Sequence, residues 1–161
     1  MLLSCQDKKQ ETNFGNLEAK IETEQNNIAT VKKLLIEGDN KNTSYLDEIC
    51  DPDYKYYFPS SNNPLSPEEH KQFWNAVNLS FPDLTHNVQE IFAVDDKVVA
   101  RVNVSGTHQG DSAGLSPTGK FVEISQIFIC HFRDGKLIAL REEANMLGLY
   151  QQLGMELQLK Q

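Results

Sequence analysis

The stretch Arg141-Glu142-Glu143-Ala144-Asn145-Met146-Leu147-Gly148-Leu149-Tyr150-Gln151-Gln152-Leu153-Gly154 decides how the chain is read. Up to Asn145 the pattern is that of a strand, with Leu137, Ala139, Arg141, Glu143 and Asn145 on one face of a two-residue alternation. Beyond it, Leu147, Tyr150, Gln151 and Leu153 suit a helical period, and Gly154 supplies a helix stop. A strand that turns straight into a helix can aim polar side chains into the space the two enclose. On this alternation Arg141, Glu143 and Asn145 are the first candidates for a site.

Upstream of this stretch the sequence is a meander. Lys136–Asn145 is the last strand and Asp134-Gly135 the hairpin turn before it. Lys120–Phe132 is a long strand, apolar on both faces. Asp111–Gly119 is a Gly/Ser/Pro-rich loop. In the strand Lys97–His108, the residues Val98, Ala100, Val102, Val104, Gly106 and His108 share one face. Thr85–Val94 is the first strand of the meander, turned at Asp95-Asp96.

Earlier still the pattern is mostly helical. Ile21, Ile28, Val31 and Leu35 fall on one side of a helix from about Leu17 to Glu37, closed by Gly38. Ser44 can cap a short helix through Leu46 and Ile49. Tyr54, Tyr56 and Phe58 alternate, as in a strand. Ser66-Pro67-Glu68-Glu69 carries an N-cap, a proline at the first position and the Glu of a capping box. The helix it starts runs to about Leu79, with Phe73, Trp74 and Val77 apolar, and His70 is expected to face solvent in its polar first turn. Helices first and long antiparallel strands after make the chain α+β.

Four segments of the chain resemble the SnoaL-like polyketide cyclases, or ester cyclases. They are Phe81-Pro82-Asp83-Leu84, then Lys97–Arg101 with Gly106-Thr107-His108-Gln109-Gly110, then Pro117–Glu123, then Asn145–Gly154. Together they span roughly residues 28 to 154. The resemblance implies a nuclear-transport-factor-two-like (cystatin-like) fold, in which a curved antiparallel sheet wraps around N-terminal helices and leaves a cone-shaped pocket. Such a fold hosts many functions. The family usually has, at the position of Asn145, the Asp that serves as acid and base in an aldol ring closure, and commonly Trp at the position of Arg141. Asn donates and accepts hydrogen bonds but does not shuttle a proton at neutral pH.

The chain has 161 residues, the size of one domain, with 39% hydrophobic and 24% charged residues. A net charge of −8 argues against a nucleic-acid partner. Cys50 and Cys130 are isolated and read as small packed hydrophobes. Met1-Leu-Leu-Ser-Cys5 looks like the end of a bacterial lipoprotein signal, with Cys5 as the lipidated residue. Residues 1–16 then form a disordered tether, and residues 17–161 the domain. On that reading the protein sits in a bacterial cell envelope, anchored to the membrane through Cys5; without it, in the cytoplasm.

The candidate site, read from the alternation together with the resemblance, has His108, Asn145 and Glu143 as catalytic groups. Arg141, Tyr54, Tyr56, Trp74, Phe73, Val104 and Gln126 hold the ligand. Glu123 and Ser125 lie on one face of the long strand and Gln126 on the other, and alternation alone leaves both faces open as the inner one. His86 and His131 are expected to be exposed. The expected ligand is a small hydrophobic or carbonyl-containing molecule. The chemistry is proton transfer and oxyanion stabilisation, with no metal and no cofactor. A non-catalytic carrier is the rival reading. The apolar strand Phe121–Phe132 is compatible with a homodimer.

Overall fold

Two tight turns set the register of most of the sheet. Asp95 (φ 56°) closes the hairpin of β2 (Thr85–Val94) and β3 (Lys97–Thr107), while Asp134 (φ 50°) and Gly135 (φ 75°) close that of β4 (Phe121–Arg133) and β5 (Lys136–Ala144). These four strands are antiparallel. β1 (Cys50–Tyr57) joins them parallel to β5, giving the order β1-β5-β4-β3-β2, so the sheet is mixed rather than wholly antiparallel. Helices α1 (Leu3–Asp39), α2 (Tyr45–Ile49) and α3 (Pro67–Ser80) precede the meander, and α4 (Met146–Leu153) follows it. These are the features of the computed structural model, which describes residues 3–59, 61–112, 114–156 and 158, with side chains from Phe14 onward.

The inner face of the sheet is the one that alternation in β3 picks out, and pairing with β3 decides which face of β4 continues it. Val98, Ala100, Val102 and Val104 of β3 are buried, as are Val122, Ile124, Phe128, Cys130 and Phe132 of β4. Two register shifts interrupt the alternation in the neighbouring strands. In β2, Val88 pairs with Val102 and Glu90 with Arg101, so Gln89 is an extra residue. In β5, Leu137 pairs with Phe132 and Ala139 with His131, so Ile138 is an extra residue. A one-residue bulge reverses which side chains face inward beyond it. After Ile138 the inward set is therefore Leu140, Glu142 and Ala144, opposite Cys130, Phe128 and Gln126.

The helices pack their apolar stripes onto this face. Val31, Leu34 and Leu35 of α1 join Leu46 and Ile49 of α2, Tyr54 and Tyr56 of β1 and the inner residues of β3–β5 in one buried cluster. The capping box at Ser66 is present as expected. Mutual backbone hydrogen bonds between Tyr56 and Leu65 tie the loop before α3 to β1. Helix α1 starts at Leu3, where a disordered tether over 1–16 is expected. The Gln, Lys and Glu residues of this segment are good helix formers, so polarity there does not end the helix. Nor does Gly38 end it; the helix runs on to Asp39. The Cβ that Gly38 lacks would lie 3.1 Å from the Trp74 ring, so glycine lets α1 and α3 approach. No helix among the described residues is long and apolar enough to cross a membrane.

The segments that carry the family resemblance are the joints of this frame. The Asp83 carboxylate accepts the Thr107 N–H and hydroxyl, each at 2.7 Å. Gln109 and Gly110 donate their N–H groups to the Ser80 carbonyl at the end of α3. The Thr118 N–H donates to His108 Nδ1 at 3.2 Å, closing the 109–119 loop on its base. At the C-terminal end Asn145 caps α4 through the Gly148 N–H. Gln152 exchanges two hydrogen bonds of 2.9 Å with the Glu123 backbone, and Gly154 (φ 101°) ends the helix in the left-handed region.

A side chain at residue 110 would meet the Leu79 carbonyl, which belongs to backbone and has no room to move. Gly110→Ala is therefore expected to destabilise the protein by about 1–3 kcal/mol in chemical denaturation. Gly15→Ala, on a helix position with nothing nearby, is expected to be neutral or stabilising by up to ~1 kcal/mol. Equal effects would refute this account of the loop.

Candidate active site

Between the curved sheet and α3 lies a cavity of about 330 Å3. Its walls are mostly apolar: Tyr56, Phe58, Phe73, Trp74 and Phe128 give it aromatic sides. Ala76 and Asp111 are exposed members of the lining, which puts the mouth between the end of α3 and the 109–119 loop. The lining also carries polar side chains, and four of them come from four elements: His70 of α3, His86 of β2, Gln126 of β4 and Glu142 of β5.

Glu142 is the centre of this group. Only 7% of it is exposed. Tyr56 Oη–H donates to its Oε2 at 2.5 Å and Gln126 Nε2–H to its Oε1 at 3.0 Å. Burial removes water from the carboxyl and pushes its pKa up to about 7, against the opposing pull of the Tyr56 hydrogen bond. A carboxyl poised near neutrality and fixed by two donors is suited to take and return a proton. Gln126 Oε1 is buried with no hydrogen-bond partner among the described residues, which makes it an acceptor open to a ligand beside the carboxyl.

His70 is the second polar group, and it is only 1% exposed rather than solvated. The reason is its place on α3: residues 70, 73, 74 and 77 form one helical stripe, so His70 shares the face of Phe73 and Trp74. Its ring stacks on Tyr56 with centroids 3.9 Å apart. Desolvation holds its pKa down at about 3, so the ring is neutral. Tyr54 Oη lies 2.9 Å from Nδ1, and this is the only hydrogen bond of that buried phenol among the described residues. The phenol therefore donates, and the ring proton sits on Nε2.

His86 is not exposed either. Its parity with Val88 turns it inward, and Asp39 at the end of α1 holds it. Nδ1–H donates to Asp39 Oδ1 at 2.6 Å and the His86 backbone N–H to Oδ2 at 2.9 Å.

The structure brings together only part of the expected site. Tyr56, Phe73, Trp74, Val104 and Gln126 line the cavity as expected. Tyr54 lies beneath it, behind His70. Arg141 and Glu143 do not enter. The bulge at Ile138 sends both to the outer face, where the Arg141 guanidinium lies 3.8 Å over the Tyr57 ring. Asn145 is exposed and spends its side-chain oxygen on the α4 cap. His108 is fully buried, but beside Phe81 and Thr118, outside the lining. Cys5 falls outside the described side chains.

The groups missed were visible in part. The stripe 70, 73, 74, 77 points to His70, and the alternation with Val88 to His86. Glu142 gave no such signal, because Leu137-Ile138-Ala139-Leu140 is apolar throughout and does not show where the bulge falls.

The raised pKa of Glu142 has a signed consequence for stability. Below its ordinary value of 4.5, folded and unfolded chains both hold the proton; between there and about 7 only the folded chain does; above that, the folded chain carries a buried charge. Stability from this group therefore declines as pH rises from about 4.5 to about 7, by about 3 kcal/mol. Glu142→Gln escapes the penalty. Its stability relative to wild type is expected to improve by that order between pH 4.5 and pH 8 in denaturant titrations. A gap that does not change with pH would show that Glu142 titrates normally.

Comparison with known proteins joins the fold to this site. The aklanonic acid methyl ester cyclase AcmA of Streptomyces galilaeus is 28% identical over 137 residues, which span 79% of this chain and 90% of that protein. AclR of the same organism, a candidate hydroxylase, is 29% identical in its crystal structure, with a TM-score of 0.72 over 80% of this chain and 95% of that one. A candidate SnoaL-like polyketide cyclase from Jannaschia sp. CCS1 shares the fold at 23% identity, with a TM-score of 0.76 over 83% of this chain and 95% of that one. Relatives at similar identity thus carry the names of different reactions, so the chemistry has to be argued from the cavity. Residues 29–153 match the profile of the SnoaL-like polyketide cyclases, and with that match running over most of the chain, on the curved sheet and helices of the nuclear-transport-factor-two-like fold, the chain belongs to that family.

Proposed function

We propose that this protein is a cofactor-independent cyclase of the aldol type, with Glu142 as its acid/base. Membership of the family supports a small-molecule-binding, cyclase-type function. The observation that carries the finer reading is a buried carboxyl with a pKa of about 7 inside an aromatic cavity. Ionised Glu142 takes the proton from a carbon next to a carbonyl. Tyr56 and Gln126 hold its two oxygens in place while it does so. Negative charge then grows on the carbonyl oxygen. A neutral His70, with its proton on Nε2, is a donor for that oxygen that adds no charge to the cavity. The aromatic walls exclude water and suit a flat apolar ligand. The carrier reading drew its support from the absence of an acid at Asn145, and Asn145 lies outside the cavity.

The methyl ester of aklanonic acid, which AcmA is named for, is the first substrate to test. Glu142→Gln is expected to lower kcat/KM for ring closure by about 100- to 10,000-fold. Glu143→Gln, on the outer face, is expected to leave it unchanged. Loss of activity in the second variant rather than the first would overturn the assignment. Because the base must be ionised, kcat/KM is expected to rise with pH through about 7. Tyr56→Phe removes a hydrogen bond that lowers the Glu142 pKa, so it is expected to move that rising limb to higher pH.

A further inference from the structure

We propose that His86, oriented by Asp39, is a second proton-transfer residue, delivering a proton to the carbonyl oxygen that is attacked when the ring closes. The inference rests on the reading of Glu142 as base. An aldol closure has two oxygens to serve: that of the carbonyl losing a carbon-bound proton, and that of the carbonyl accepting the new bond. Glu142 and its partners serve the first; the proton for the second has to come back from Glu142 or from another group that faces the cavity.

His86 is placed for the second task. It lines the same cavity, and its ring lies 6.2 Å from that of Phe128, whose cross-strand partner is Glu142. Phe128 is therefore the neighbour that the two groups share in the wall of one cavity. With Nδ1 occupied by Asp39, Nε2 is the ring atom left for a ligand, and it has no protein partner among the described residues. A charge on His86 also acts on the Glu142 carboxyl, opposing the effect of burial there.

Asp39 is a positioning residue. It ends α1, where a carboxylate meets the negative end of the helix dipole. The position is unfavourable on local grounds, and the two hydrogen bonds to His86 offset it. Its carboxylate holds the ring with Nε2 toward the cavity, as the Asp of an Asp–His pair does.

The step balances. The carbon-bound proton passes to the Glu142 carboxylate. The electron pair it leaves forms the new carbon–carbon bond. The π pair of the attacked carbonyl moves to its oxygen, which takes the Nε2 proton of the His86 imidazolium. The product is an isomer of the substrate, and proton exchange with water resets both residues.

The test separates the two halves of the reaction, using the methyl ester of aklanonic acid in D2O. Protein-dependent deuterium uptake into unreacted ester reports removal of the carbon-bound proton, and product formation reports closure. Wild type is expected to do both, and Glu142→Gln neither. His86→Gln is expected to retain deuterium uptake while closure falls about 100-fold. Asp39→Asn, which keeps the imidazole but loses its orientation, is expected to show the same split more weakly. It also stands as the test if His86→Gln fails to fold in thermal melts. Closure at the wild-type rate in these variants, or an equal loss of uptake and closure, would overturn the role of His86 and leave Glu142 standing. A wild-type protein inert in both assays, or a Glu142→Gln variant active in both, would overturn the reading beneath it.

Discussion

Strand β5 carries one residue more than its partner β4 between Leu137 and Ala139, and the chemistry of the cavity depends on that insertion. Without it, strict alternation from Leu137 would present Arg141 and Glu143 to the interior and leave Glu142 outside. With it, Leu140 and Glu142 continue the inner face, and one carboxyl enters a chamber built of Tyr56, Phe73, Trp74 and Phe128. A bulge of this kind redirects side chains at no cost in core packing, because Leu137 and Leu140 are both buried on either side of it.

Once inside, the carboxyl has to be held. A buried acid with no partner would be strongly destabilising, and one with strong cationic partners would stay ionised and lose its use as a proton carrier. Glu142 has neither. Its two direct partners, Tyr56 and Gln126, are neutral donors, and the adjacent His70 is kept neutral by burial. The buried Tyr56 phenol sits well above its ordinary pKa, first through desolvation and then through the charge of Glu142, so it stays a donor. The arrangement leaves desolvation as the leading influence on the carboxyl, and desolvation moves it toward neutral pH.

A division of labour follows between the parts of the chain that mark its family and the parts proposed to do its chemistry. Asp83, Thr107, Gly110 and Gln152 belong to the recognisable segments and fasten one element to another, while Asn145 and Gly154 cap the two ends of α4. His70, His86, Gln126 and Glu142 lie outside those segments, on α3, β2, β4 and β5. A shared frame with interchangeable cavity residues is what lets one fold carry many reactions. It also explains why resemblance alone points first to His108 and Asn145, which are joints.

The sequence by itself determined a great deal of this protein. Hydrophobic alternation in Lys97–Thr107, the capping box at Ser66, and the turns at Asp95 and Gly135 depend on neighbours within a few residues, so they are legible along the chain. So were the cavity walls Phe73, Trp74, Tyr56 and Val104, whose apolar character follows from their place on an inner face. Only the tertiary structure decided which polar residues the cavity receives. The parallel pairing of β1 with β5 brings Tyr56 to Glu142 across 86 positions of chain, and the end of α1 meets β2 to join Asp39 to His86 across 47. A bulge changes the facing of every residue beyond it, and its position is set by the pairing of two strands rather than by either alone. The pKa values that matter arise from burial, which is a property of the assembled fold and of no single residue.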